Sequence, residues 1–262
     1  MFKEILASVG INGAKVDTRL FNTSVVPGDI LEGEVSIFGG DAKQDIRDIN
    51  LLLATEYQQE VEESSFYEEC VMVNYRLMER FTISPEEEIV VPFTIDLPYE
   101  LPLTLVDTPV YIYTDVNIKN RFNARDGQTP TVSDRDLIEV VPHPLMSRVL
   151  MALENLDFRL NEVNCEYTQS FGGAYPFIQE FEFIPNGEYR NYLDELEIIF
   201  NLNAEGLEVF LEIDKRARGF SSWFQENFDL DERYVRFDLL ASDVDVVDVE
   251  GMIDDVIQDV LD

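Results

Sequence analysis

Acid–base or nucleophilic catalysis needs several titratable side chains brought together, and this chain offers few places to assemble them. Its single histidine, His143, stands between Pro142 and Pro144. A lone imidazole can act as a general base, but one placed just ahead of a helical pattern is better suited to capping that helix. No GxSxG elbow and no GxxxxGK[ST] phosphate loop occurs in the sequence. Cys70 and Cys165 form no CxxC pair, which excludes a thioredoxin-type dithiol and a cysteine-rich zinc site. Reduced, buried thiols are expected instead. With 53 Asp+Glu, carboxylate pairs arise by chance and none can be singled out as a glycosidase pair. The best approach to a calcium loop, Asp243–Gly251, has Val247 where a third ligand is required. The reading is a protein that is not an enzyme, with no catalytic residue, no metal and no cofactor.

Two places could bind another protein. Lys215-Arg216-Ala217-Arg218 holds three of the 19 cations within four residues. Such a patch in so acidic a chain could dock an acidic partner or the chain's own tail. Local pairing with Asp194, Glu195 and Glu197 is the plainer alternative. Phe66 and Tyr67 sit among five acids between Glu60 and Glu69, a stretch that reads as an exposed loop or hairpin end, where an aromatic pair could anchor a partner. Lys215, Arg216, Arg218, Phe66 and Tyr67 are therefore the candidate partner-binding residues. Trp223, with Phe220, Phe224 and Phe228, reads as the apolar stripe of a short helix packed in a core.

The elements that must carry these residues are mostly strands. Val35 and Ile37 alternate with polar neighbours, and Ile49, Leu51, Leu53 and Tyr57 fall on one face of a long strand. Val71, Val73, Tyr75 and Leu77 form another inward set, as do Ile89, Val91, Phe93, Ile95 and Leu97. Val110, Ile112, Val116 and Ile118 alternate with Tyr111, Tyr113, Asp115 and Asn117. Pro27-Gly28-Asp29, Gly39-Gly40-Asp41 and Ser84-Pro85-Glu86 supply turns between them. With Lys15–Leu20 and Leu137–Val141, about seven strands precede residue 142, a pattern of antiparallel sandwiches rather than βαβ units. Pro92 predicts an edge or a bulge for its strand.

Met146, Val149, Leu150, Leu153 and Leu156 then follow at helical spacing, predicting an amphipathic helix over 145–157. Strands return at Phe158–Cys165, Phe177–Ile184, Leu193–Phe200, Leu207–Ile213 and Tyr234–Leu239. The expected architecture is mainly β: a first β-sandwich over 1–141, and a second over 142–240 that begins with a helix. An acidic tail over 241–262 follows, with eight acids and an apolar stripe of Met252, Ile253, Val256, Ile257, Val260 and Leu261. That tail could dock as a helix or fray.

The formal net charge is −34. A field of that sign repels nucleic acid and anionic lipid heads. Its cost in self-repulsion falls in concentrated salt, where the Debye length shrinks. Dispersed acid with only five Lys against 14 Arg suggests a salt-rich, halophilic cytoplasm. No secretory leader and no apolar run of membrane-spanning length is present, so a cytoplasmic protein is expected.

A set of short words carries a resemblance. They include Ala14-Lys15-Val16-Asp17-Thr18, Pro27-Gly28-Asp29, Gln44-Asp45-Ile46-Arg47 and Glu154-Asn155-Leu156. In the second half come Pro176-Phe177-Ile178-Gln179-Glu180-Phe181-Glu182-Phe183, Leu193-Asp194-Glu195-Leu196-Glu197 and Asp214-Lys215-Arg216-Ala217-Arg218-Gly219. Together they resemble the sporulation-control (SpoOM) family over about residues 3 to 240. The resemblance implies an arrestin-like pair of β-sandwiches joined at a hinge near Pro142–Pro144. It also implies a regulatory adaptor without catalysis, acting on a protein partner in stress or developmental signalling. Unpaired sheet edges make strand addition or self-association the natural mode of contact. A small-molecule or glycan binding module using the sandwich loops is the alternative.

Overall fold

The computed structural model describes residues 13–61, 64–105, 108–119, 131–168, 173–215, 235–243 and 247–261. Nine strands precede the first described helix: β1 Lys15–Leu20, β2 Ser24–Val25, β3 Ile30–Phe38, β4 Gln44–Val61, β5 Ser64–Ile83, β6 Glu88–Asp96, β7 Val110–Ile118, β8 Thr131–Leu137 and β9 Glu139–Val140. After helix α1, Pro144–Asn155, come β10 Phe158–Tyr167, β11 Phe177–Pro185, β12 Leu193–Leu202, β13 Gly206–Lys215 and β14 Val235–Leu240. Helix α2, Val249–Leu261, closes the described chain. The fold is mainly β and arrestin-like.

In the first half an antiparallel sheet β1-β3-β6 is one layer, and β4 with β5, β7 and β8 makes the other. Alternation drives the packing. Leu31, Val35 and Ile37 of β3 are wholly buried, as are Ile49 and Leu51 of β4 and Ile112 of β7. All belong to one apolar cluster. Pro92 of β6 pairs with Glu34 of β3, and among the described residues β6 bonds only to β3, the edge position expected for a proline.

In the second half β10 to β14 follow one another as neighbours in a single antiparallel sheet. Helix α1 packs against β10 and β13, and α2 packs against α1 and β13. The buried stripe of α1 (Leu145, Met146, Val149, Leu153) and that of α2 (Val249, Ile253, Ile257) enter the same core. Beyond its pairing with β7, the same edge of β4 meets β10 in parallel at Gln58 and Glu166. One hydrogen-bonded sheet therefore runs through both halves.

Three sequence expectations need correction. Thr131–Leu137 is a strand without a single buried residue, so its polar composition hides it from any reading of hydrophobic period. On β5 the buried residues are Cys70, Met72 and Ile83, Val73 and Leu77 are half-buried against the core, and Val71 is 44% and Tyr75 42% exposed. The β4–β5 register slips at Leu53/Ala54 and again at Ile49/Asn50, and a one-residue slip exchanges the two faces of a strand. Tyr111, expected on the outward set of β7, is fully buried. The Arg135 guanidinium lies 3.7 Å over its ring, and its hydroxyl donates to Glu56 at 2.9 Å.

The helix at the junction starts where its cap dictates. His143 Nδ1 accepts from the Leu145 N–H at 3.3 Å, and Pro144 occupies the first turn, where a missing N–H costs nothing. Burial holds the imidazole below the usual histidine range, and a cap needs the neutral, accepting nitrogen.

Candidate interaction surfaces

Of the two readings for the stretch between Glu60 and Glu69, its described residues form the hairpin end. It is the end of a two-stranded arm in which Gln58 faces Tyr67, Gln59 faces Phe66 and Val61 faces Ser64. Tyr67 is 66% and Phe66 40% exposed. Among the described residues β5 pairs only with β4, so 20 residues present an outer edge. One carbonyl of that strand, that of Met72, accepts from the Tyr175 hydroxyl at 3.1 Å.

The inner side of the arm is tied to the second half. Tyr57 of β4 stacks on Phe177 at 5.7 Å and on Tyr167 at 6.2 Å, and Tyr175 continues the row at 6.0 Å from Phe177. Burial, helped by the Glu68 carboxylate that accepts its proton at 2.8 Å, pushes the Tyr57 hydroxyl up to about 12. Cys70 and Cys165 are both buried and reduced, with burial raising each thiol. Gln179 clamps the junction: its amide nitrogen donates to the Leu103 carbonyl and its oxygen accepts from the Leu103 N–H, both at 2.8 Å. Beside this clamp lies a cavity of about 320 Å³, lined among others by Tyr99, Tyr175, Phe177, Phe181 and Phe200.

On the second sheet, Glu182, Glu197 and Glu212 are register partners across β11, β12 and β13. Glu180 leans into the same group, and oxygens of Glu180, Glu197 and Glu212 lie within 4.8 Å of one another. Three carboxylates are hard-cation donors, yet they supply only part of the six to eight oxygens that calcium takes. Sharing a proton relieves the same repulsion. Burial first, then Glu180 and Glu212, raises the Glu197 carboxyl from 4.5 to about 9.

A carboxyl raised in the folded state contributes stability while it holds its proton. That contribution is complete below the unfolded value of 4.5 and is lost as pH climbs through about 9. Glu197→Gln keeps the hydrogen bonding and removes the titration. We expect it to raise the melting temperature at about pH 8 by roughly 2–6 °C, with no gain near pH 4. Equal shifts at both pH values in calorimetry would contradict the assignment.

The family comparison supplies the context for these surfaces. The model of the SpoOM protein family matches residues 2–217. The chain belongs to the SpoOM protein family. It is 40% identical to the sporulation-control protein spo0M of Bacillus subtilis over 262 residues, covering 100% of this chain and 97% of that protein. The crystal structure of Spo0M, sporulation control protein, from Bacillus subtilis superposes with a TM-score of 0.84 at 39% identity, covering 95% of this chain and 99% of that one.

Several of the words that resemble the SpoOM family have structural work in this member. Pro27-Gly28-Asp29 is a tight turn in which the Asp29 N–H donates to the Val26 carbonyl at 3.1 Å. Gly28 has φ of +85°, and a Cβ there would stand 2.4 Å from the Tyr99 ring, so only glycine fits. Pro176–Phe183 carries the Gln179 clamp, the Tyr57 contact and two acids of the carboxylate row.

Among the described residues the candidates lie on separate elements. Phe66 and Tyr67 lie near the arm's tip, whereas Lys215 ends β13 opposite Leu193. The Lys215 side chain, Arg216, Arg218 and the Trp223 stripe fall outside the described residues. Asp248, in the weighed calcium loop, instead caps α2, its Oδ1 accepting from the Gly251 N–H at 3.0 Å. The acidic tail docks. Arg148 of α1 donates to the Val247 carbonyl, Asn155 donates to Glu250 at 3.0 Å, and Tyr189 donates to Asp254. Among the described residues no helix is long and apolar enough to cross a membrane.

Proposed function

We propose that this SpoOM family member is a non-catalytic regulatory adaptor that binds a partner protein in sporulation control or a related developmental response. The observation that carries this reading is the outer edge of β5. A 20-residue strand bonded to one neighbour offers main-chain donors and acceptors, and its exposed Phe66, Tyr67, Val71 and Tyr75 offer apolar anchors. Such an edge invites an added strand, from another protein or from a second copy of this chain. The identity to a protein named for sporulation control supports the regulatory part. The histidine spent on a helix cap supports the non-catalytic part. The adaptor is read as two lobes, 1–141 and 142–240, with the tail 241–262 fastened to the second. The acid excess supports a salt-rich cytoplasm as its setting.

Replacing Tyr67 and Phe66 by Ser should abolish stoichiometric recovery of a single partner from native lysate in molar KCl. The melting temperature should stay within about 1 °C, because exposed positions rarely move stability. A second reading, small-molecule or glycan binding, is favoured by the aromatic cavity of about 320 Å³ at the junction. Thermal stabilisation by sugars with no recovered protein would select that reading and remove the first.

A further inference from the structure

At the other end of the same β4–β5 hairpin, a concavity of about 370 Å³ opens between Arg47 of β4, Arg80 of β5 and Lys119 after β7. Arg47 lies between Ile46 and Asp48, whose β5 partners are Phe81 and Glu79, so its register position is opposite Arg80. Like charges facing each other across a strand pair destabilise a sheet. The placement is also built in. Between Ile46 and Asp48 the register with β7 shifts, Ile46 facing Ile118 and Asp48 facing Asn117, and such bulges re-aim a side chain. Lys119 is held there by its own N–H, which donates to the Asp45 carbonyl at 2.8 Å.

With 53 acids against 19 Lys+Arg, three cations lining one concavity are an unusual concentration. Elsewhere Arg19, Arg76, Arg135 and Arg236 each pair with a carboxylate. Arg47 reaches Asp48 at 3.4 Å, but that carboxylate also accepts from Asn50 and Asn117. Among the described residues, Arg80 and Lys119 have no carboxylate within ion-pair distance. Asp45 also lines the concavity, and its carboxylate accepts from the Thr82 hydroxyl at 3.1 Å.

We propose that Arg47, Arg80 and Lys119 form a binding site for a compact dianionic oxyanion, a phosphate monoester or its inorganic equivalent. Two guanidinium forks and an ammonium supply charge and directed donors for three oxygens. A bound anion also relieves the cross-strand repulsion between Arg47 and Arg80. At about 0.15 M ionic strength the Debye length is about 8 Å, so the ligand feels the three cations together with the nearby Asp45 and Asp48, a local balance of +1, and little of the acid elsewhere on the chain.

The test titrates the full chain with inorganic phosphate, exchanged for chloride at constant ionic strength, and separately with a short phosphoserine peptide. Heat and melting temperature are the readouts. Saturable binding is expected, with a rise in melting temperature. In the double variant Arg80→Gln, Lys119→Gln the affinity should fall at least about tenfold. Arg19→Gln, which removes a paired cation on β1, should change nothing. Tighter binding of the peptide assigns a protein-borne phosphate, and equal or weaker binding assigns the free anion. Absence of saturable binding by both probes, or binding undiminished in a folded double variant, overturns the site.

Discussion

Moving from dilute buffer to molar KCl is expected to raise the melting temperature by about 10 °C, the equivalent of several kcal/mol. The structure shows where the repulsion sits. Burial and the neighbours Glu180 and Glu212 raise Glu197; burial, Glu182 and Asp214 raise Glu195. Burial with Asp134 and Asp17 raises Asp136, and burial with Glu60 and Glu162 raises Glu166. Each pair of like neighbours is a local cost, and the net charge of −34 adds a global one. The Debye length falls from about 30 Å at 0.01 M to about 3 Å at 1 M, so the long-range repulsion of the exposed acid is screened. Scanning calorimetry across a KCl series checks this. A melting temperature flat over that range would sink both the repulsion argument and the halophile reading.

The second large effect concerns the tail. Ile253 is wholly buried on α2, the helix that packs against α1 and β13. Ile253→Asp places an unpaired carboxylate in that seam and removes an apolar side chain. A loss of about 3–4 kcal/mol is expected, seen as a drop of roughly 10 °C in melting temperature. Asp255→Lys, at an exposed position of the same helix, should stay within about 0.5 kcal/mol. Equal effects from the two would mean that α2 does not hold this packing in solution.

The contrast between these positions shows what could be read from the chain alone. Ile253 and Ile257 announced a helical stripe, and burial of that stripe follows from elementary amphipathicity. His143 as a cap was legible for a similar reason, since capping is decided within three residues. Val35, Ile37, Ile49 and Leu51 were legible because one face of each strand meets a core. β8 was not, because both of its faces are polar or half-exposed. The exposure of Val71 and Tyr75 on β5 was not, because bulges leave no mark on composition.

The site residues divide in the same way. Phe66 and Tyr67 stood out as aromatics among acids, and they are exposed. Gln179, the Glu180–Glu197–Glu212 group and the Arg47–Arg80 opposition depend on strand register over long separations. No local window displays that register, although Gln179 and Arg47 both lay within words shared with the family.

The long hairpin gives the two halves a common mechanical member. At about 3.3 Å per residue, the 18 residues of β4 span roughly 60 Å. One end carries the cation concavity and the other the aromatic tip, with the second half bonded near that tip. Such a beam resists bending within its own ladder but yields readily in twist. A twist imposed at one end of this ladder would therefore be felt at the other, without any segment having to unfold or detach.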